Sequence, residues 1–91
     1  MATRKSKNSQ APTQAVTATS FGRCVRKLRK KCDFNQEELA HRAGLSTVYI
    51  SLLERGLRHP SLDTVFELAQ ALSISAAELV ACVEADLKQI D

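Results

Sequence analysis

Arg23, Arg26, Lys27, Arg29, Lys30 and Lys31 crowd residues 23–31, and with Arg4, Lys5 and Lys7 they give residues 1–31 nine basic side chains and no acid. Residues 32–91 hold only four basic side chains, Arg42, Arg55, Arg58 and Lys88, and all ten acidic ones. A molecule so divided attracts a polyanion at one end and keeps a soluble surface at the other. Nucleic acid is the simplest such partner; a solvated basic helix face is the plainer alternative. The remaining reactive side chains are few. His41 and His59 fall on an expected exposed helix and a loop, with no convergent nucleophile or metal cluster, so neither enzyme chemistry, a bound metal nor a cofactor is expected. Cys24, Cys32 and Cys82 lack the paired spacing of a zinc or redox motif. Cys24 and Cys32 would stand about 12 Å apart along one helix, too far for a disulfide. They read as small apolar residues in a reducing compartment, with redox sensing as the alternative.

The elements that position these residues must be helices. A chain of 91 residues suits one domain, and 44% hydrophobic residues suffice for a core. Only 4% are aromatic and Trp is absent, so the core is expected to be Leu, Val, Ile and Ala packed between helices. No strand-like alternation occurs. No apolar run approaches the roughly 20 residues of a membrane span, and the N-terminus is polar where a signal peptide needs an apolar centre, so a cytoplasmic protein without membrane contact is expected.

Residues 1–19 are rich in polar and basic residues without apolar periodicity and are expected to form a disordered tail. Its Arg4, Lys5 and Lys7 would follow a phosphate backbone, enter a minor groove, or simply keep the chain soluble. A first helix is expected from near Ser20 to Lys31 or Cys32, burying Phe21, Val25, Leu28 and Cys32. Next, Asn35 with Glu38 forms a capping box, Gln36 to Ala43 continue as a helix, and Gly44 ends it at positive φ. Leu45 plugs the turn, Ser46 caps a third helix from Thr47 to about Arg55, and Gly56 closes the unit. Leu39, Ala43, Leu45, Ile50 and Leu53 would share a core, with the small Ala40 at the close approach. After the Arg58–Ser61 loop, Leu62, Val65, Phe66, Ala69 and Leu72 give a fourth helix its expected core face. Ser75 and Glu78 open a fifth that can run to the chain end.

The ordered run of Gln36, Leu39, Ala40, Gly44, Ile50, Glu54, Gly56 and Pro60 resembles the Cro-like, or XRE, helix-turn-helix family, which includes phage repressors and restriction-modification controller proteins. The resemblance covers roughly residues 20–82. Asp33 departs from it, since many relatives carry Gly there, but Asp tolerates the left-handed region better than most residues. What the resemblance implies is an all-α, compact five-helix, lambda-repressor-like domain over residues 20–91. Its function would be that of a transcriptional regulator that binds double-stranded DNA sequence-specifically.

Mapped residue by residue, the resemblance puts Ser46, Thr47, Val48, Ser51 and Leu52 against base edges in the major groove, and Gln36, Tyr49 and Arg58 against phosphates. It makes Arg29 and Glu54 a structural ion pair. The base-reading set has no Arg, Asn or Gln for bidentate contacts, so specificity would lean on thymine methyls, DNA shape and water. Val48 and Leu52 packing on a protein surface is the competing expectation, as in an antitoxin-like or other protein-interaction module. Finally, Leu79, Val80, Val83, Leu87 and Ile90 recur at helical spacing in the fifth helix and would join a homodimer on a palindromic operator. The alternative is that this stripe folds back on the first helix of its own chain.

Overall fold

Four polar caps and four left-handed turn residues, Asp33, Gly44, Gly56 and Ser73, divide the described residues into five helices. In the computed structural model, which describes residues 10–89, these are α1 Gln10–Lys31, α2 Gln36–Ala43, α3 Thr47–Glu54, α4 Leu62–Ala71 and α5 Ala76–Lys88. Asn35 and Ser75 both form the expected capping boxes with Glu38 and Glu78, and the hydroxyls of Ser46 and Ser61 accept the N–H groups of Tyr49 and Thr64. Each cap satisfies a first-turn N–H group that has no partner inside the helix. Gly44 ends α2 at φ 71°, and the Leu45 N–H then bonds the Ala40 carbonyl at 2.9 Å. Asp33 takes φ 60°, so the α1–α2 turn is left-handed without glycine.

The helices close around Val25, Leu39, Ile50, Leu53, Leu68 and Leu79, all fully buried. α1 packs against both α3 and α5, α2 against α3 and α4, and α4 against α5. Leu39, Ala40, Ala43, Ile50 and Leu53 lie in the core as expected, with Leu45 partly buried against it.

Three expectations need correction. The chain does not wait until Ser20 to become helical: α1 begins at Gln10, while residues 1–9 lie outside the described residues. Pro12 falls in the first turn, where a missing N–H costs nothing, and Ala18 and Ser20 dock on the core, so the polar composition did not prevent ordering.

The face of α4 is rotated from its expected position. Of the expected face, Ala69 and Leu72 are buried and Val65 packs partly on the core, but Leu62 and Phe66 are exposed and Thr64 and Leu68 are buried in their place. Thr64 hid the true stripe because a hydroxyl was not counted as core. Its Oγ1 lies 3.0 Å from Ser61 Oγ and 3.4 Å from the Tyr49 hydroxyl, which makes its burial tolerable.

The proposed dimer stripe of α5 is mostly internal. Leu79 and Val83 are buried, and Leu87 packs partly on the core, because α5 folds back along the extended α1. Only Val80 of that stripe is largely exposed, and Ile90 lies outside the described residues.

Candidate nucleic-acid interface

A short two-helix unit can present side chains to a ligand only if both helices are held from behind. Here the hold is a polar knot. Arg29, near the end of α1, donates from Nε to Glu54 Oε2 at 2.7 Å and from Nη2 to Oε1 at 3.0 Å. Its Nη1 donates to the Phe34 carbonyl at 2.8 Å. Gln36, at the start of α2, donates its amide to Glu54 Oε1 at 3.0 Å. The Arg29 and Glu54 side chains are only 10% and 3% exposed, so α1, the α1–α2 turn, α2 and the end of α3 are joined in a nearly dry setting. Bidentate pairing fixes orientation as well as distance. The bond to Glu54 holds the Arg29 guanidinium above its ordinary pKa, outweighing the cost of burial.

A second hold was not foreseen from the sequence. Gly22 sits inside α1, where a Cβ would stand 2.3 Å from the Leu53 carbonyl oxygen and 2.7 Å from that of Glu54. The backbone of α1 therefore lies directly on the C-terminal carbonyls of α3. Glycine in a helix interior costs about 1 kcal/mol against alanine, and this close approach is what that cost permits. An isolated glycine within an otherwise helical run was the available signal.

With the back of the unit fixed, its front is open. Ser46, Thr47 and Val48 are exposed, Val48 to 71%, while Ser51 and Leu52 are half-buried. Ser46 Oγ accepts the Tyr49 N–H at 3.1 Å, which leaves its own O–H free to turn outward. The half-buried Tyr49 directs its hydroxyl to Thr64, so its place is tied to α4. Gln36 is also engaged: the side chain is half-buried and its amide donates to Glu54 at 3.0 Å. What α2 offers an anion is therefore its helix N-terminus more than the Gln36 side chain. Arg58 is exposed in the loop after α3 and makes no ion pair among the described residues. Arg42 stacks over the Phe34 ring at 4.4 Å, a contact that sequence spacing did not suggest. His41 and His59 are exposed, and the described residues contain no cluster of three or more metal-ligating side chains.

Away from this front, Cys24 of α1 meets Cys82 of α5. Burial and the neighbouring thiol push Cys24 up to about 12, so it is protonated at neutral pH and chemically quiet. On the same pair of helices, Arg23 binds Asp86 through Nη2 to Oδ2 at 2.8 Å and Nε to Oδ1 at 3.3 Å. The Arg23 bond lowers the Asp86 carboxyl below its ordinary value. No single described helix is long and apolar enough to cross a membrane.

Comparison with known proteins agrees with the two-helix unit. The family model described as helix-turn-helix matches residues 25–79. An uncharacterised HTH-type transcriptional regulator of Sinorhizobium fredii is 50% identical over 54 residues, 59% of this chain and 70% of the relative. Another, from Mycobacterium tuberculosis, is 41% identical over 58 residues, 64% of this chain but only 41% of that longer protein. Among solved structures, the restriction-modification controller protein C.AhdI of Aeromonas hydrophila superposes with a TM-score of 0.67 at 40% identity. That match covers 68% of this chain and 94% of the other.

Proposed function

Since the chain belongs to the Cro-like helix-turn-helix family of transcriptional regulators, we propose that it binds a double-stranded DNA operator, with the first turns of α3 in the major groove. The observation that carries this reading is the contrast within α3. Its C-terminal end is locked by Arg29, Gln36 and Gly22, while Ser46, Thr47 and Val48 stand exposed at its N-terminal end. A rigid helix with a free leading turn is what base reading needs. Val48 and Leu52 meet thymine methyls, and Ser46, Thr47 and Ser51 offer single hydrogen bonds. Arg58, Tyr49 and the N-terminus of α2, through the backbone N–H of Gln36, contact phosphates. No catalytic step is assigned to any residue, and the protein works in the cytoplasm.

Operator binding is by a symmetric homodimer on a palindromic site. The α5 stripe does not supply its interface, since Leu79 and Val83 are buried within one chain. Among the exposed apolar side chains away from the α3 front, which also include Val16 and Leu57, those offered to a second copy are Leu62 and Phe66, one turn apart on α4, and Val80 on α5, exposed to 72%, 57% and 53%. Phe66→Glu with Val80→Glu yields a folded monomer with weaker operator binding, whereas Val83→Glu disrupts the fold itself. An unmodified protein that sediments as a monomer at about 50 μM would remove the dimer from this scheme.

Selection from random duplexes followed by salt titration tests the DNA reading. Val48→Ala changes the preferred site, and Arg58→Ala weakens all sequences alike. A dimer with about 6 to 10 phosphate contacts loses roughly three to five decades of affinity between 50 and 200 mM salt. One observation favours a second reading. The front of α3 is unusually apolar at Val48 and lacks a bidentate base reader, which suits a protein-interaction or antitoxin-like module. A flat salt response with no selected sequence would decide for that module.

A further inference from the structure

Arg23, Arg26, Lys27 and Lys30 follow one another at helical spacing on α1 and line a cavity of about 380 Å³ between α1 and α5. Cys24, Cys82, Ala85, Asp86 and Gln89 complete its walls. Two features separate this recess from an ordinary basic helix face. Its floor is apolar and concave, and its volume falls in the range of small-molecule sites, about 300–1,000 Å³. Its charge is also unbalanced: Asp86 is taken by Arg23, and Arg26, Lys27 and Lys30 make no ion pair among the described residues. Four cations, Arg23, Arg26, Lys27 and Lys30, face the single carboxylate of Asp86, which also feels Lys27, so the recess is net positive and a bound anion relieves the remaining repulsion.

We propose that the α1–α5 cleft is a binding site for a small multivalent oxyanion, one bearing phosphoryl or carboxylate groups on a compact body. Arg26, Lys27 and Lys30 hold the charged groups by charge-assisted hydrogen bonds, while Cys24, Cys82 and Ala85 contact the body. A recess suits such a ligand better than it suits a DNA backbone, which needs an open rail of cations and meets here the carboxylate of Asp86. The recess is formed by α1 and α5 alone and leaves the front of α3 free. The site is therefore independent of the operator reading.

Amide chemical shifts of the full chain, titrated with inorganic pyrophosphate or citrate at constant ionic strength, test the assignment. The expected result is saturable change confined to residues 23–30 and 82–89. Lys27→Gln with Lys30→Gln, both exposed in the native protein, weakens binding about tenfold, the loss of roughly two modest charge contacts, with no change in melting midpoint. Pyrophosphate acting without citrate narrows the ligand to phosphoryl groups, and the reverse to carboxylates. Non-saturable shifts, shifts centred on residues 36–58, or equal affinity of the double variant would overturn the site. So would a random-sequence duplex that shifts the α1 amides when neither small anion does, since the cations would then be backbone contacts.

Discussion

Two junctions of α1 are each closed by an arginine that forks onto a carboxylate, and they are not equivalent. Arg29 and Glu54 meet where both side chains are nearly dry, with Gln36 and the Phe34 carbonyl completing the set. Arg23 and Asp86 meet with side chains 51% and 22% exposed. Water competes for the second pair and screens it, whereas the first must be fully satisfied because neither charge can be rehydrated in place. The same side-chain chemistry therefore fixes one helix and merely decorates the contact of another. The dry junction sets the position of α3; the wet one lies beside the recess between α1 and α5.

The largest expected effect comes from breaking the dry junction. Arg29→Ala or Glu54→Ala strands the other charge and costs about 3 to 5 kcal/mol, a large part of the roughly 5 to 10 kcal/mol that holds such a domain. Thermal melts of each variant should show midpoints lower by more than about 12 °C. Arg29→Met combined with Glu54→Leu should recover part of that loss, because no charge is left unpaired. Shifts of only about 2 °C in both single variants would mean that the two junctions are alike after all.

This network also marks where sequence reasoning stopped. Arg29 and Glu54 are legible because the helix-turn-helix pattern places them, and the caps at Asn35, Ser46 and Ser75 are legible because they are local. The resemblance puts Gln36 against phosphate; its bond to Glu54 crosses 18 positions of sequence and leaves no local trace. The face of α4 was misread because buried Thr64 breaks an apolar count. For α5, the stripe itself is legible, and of the two partners weighed for it the first helix of the same chain, rather than a second copy, covers most of it. The expected tail supplied ten further residues of helix, Gln10 to Thr19, ahead of the expected start at Ser20. Periodicity tells which face is apolar but not what covers it.

Gly22 gives the next effect in size, and its sign is informative. In an uncrowded helix, Gly→Ala stabilises by about 1 kcal/mol. Here the new Cβ meets the Leu53 and Glu54 carbonyl oxygens at 2.3 and 2.7 Å, and a backbone carbonyl cannot swing aside as a flexible side chain can. Forcing α1 and α3 apart costs about 1 to 3 kcal/mol and also lengthens the Arg29–Glu54 bonds. Gly22→Ala should therefore melt lower than the parent in denaturant titration and bind an operator more weakly. A stabilised variant would show that the polar knot alone holds α3.

The smallest effect belongs to the wet junction, and its dependence on pH and salt identifies it. Arg23 lowers the Asp86 carboxyl, so the folded state binds that proton less readily than the unfolded chain does. The stabilisation it adds is therefore present above the ordinary carboxylate value, about 3.9, and disappears as pH falls below it through the folded value. Asp86→Asn should melt slightly below the parent near neutral pH, with the gap closing in high salt and again in acid. Leu79 and Val83 explain why the gap is small, since burial of their apolar surface holds α5 on α1 whether or not the ion pair forms. Paired melts of parent and variant at low and high salt, each repeated near pH 7 and pH 3, check every part of this. A gap as large as that of Glu54→Ala, or one indifferent to salt, would place the Arg23–Asp86 contact in the same dry class as the first junction and end the contrast between them.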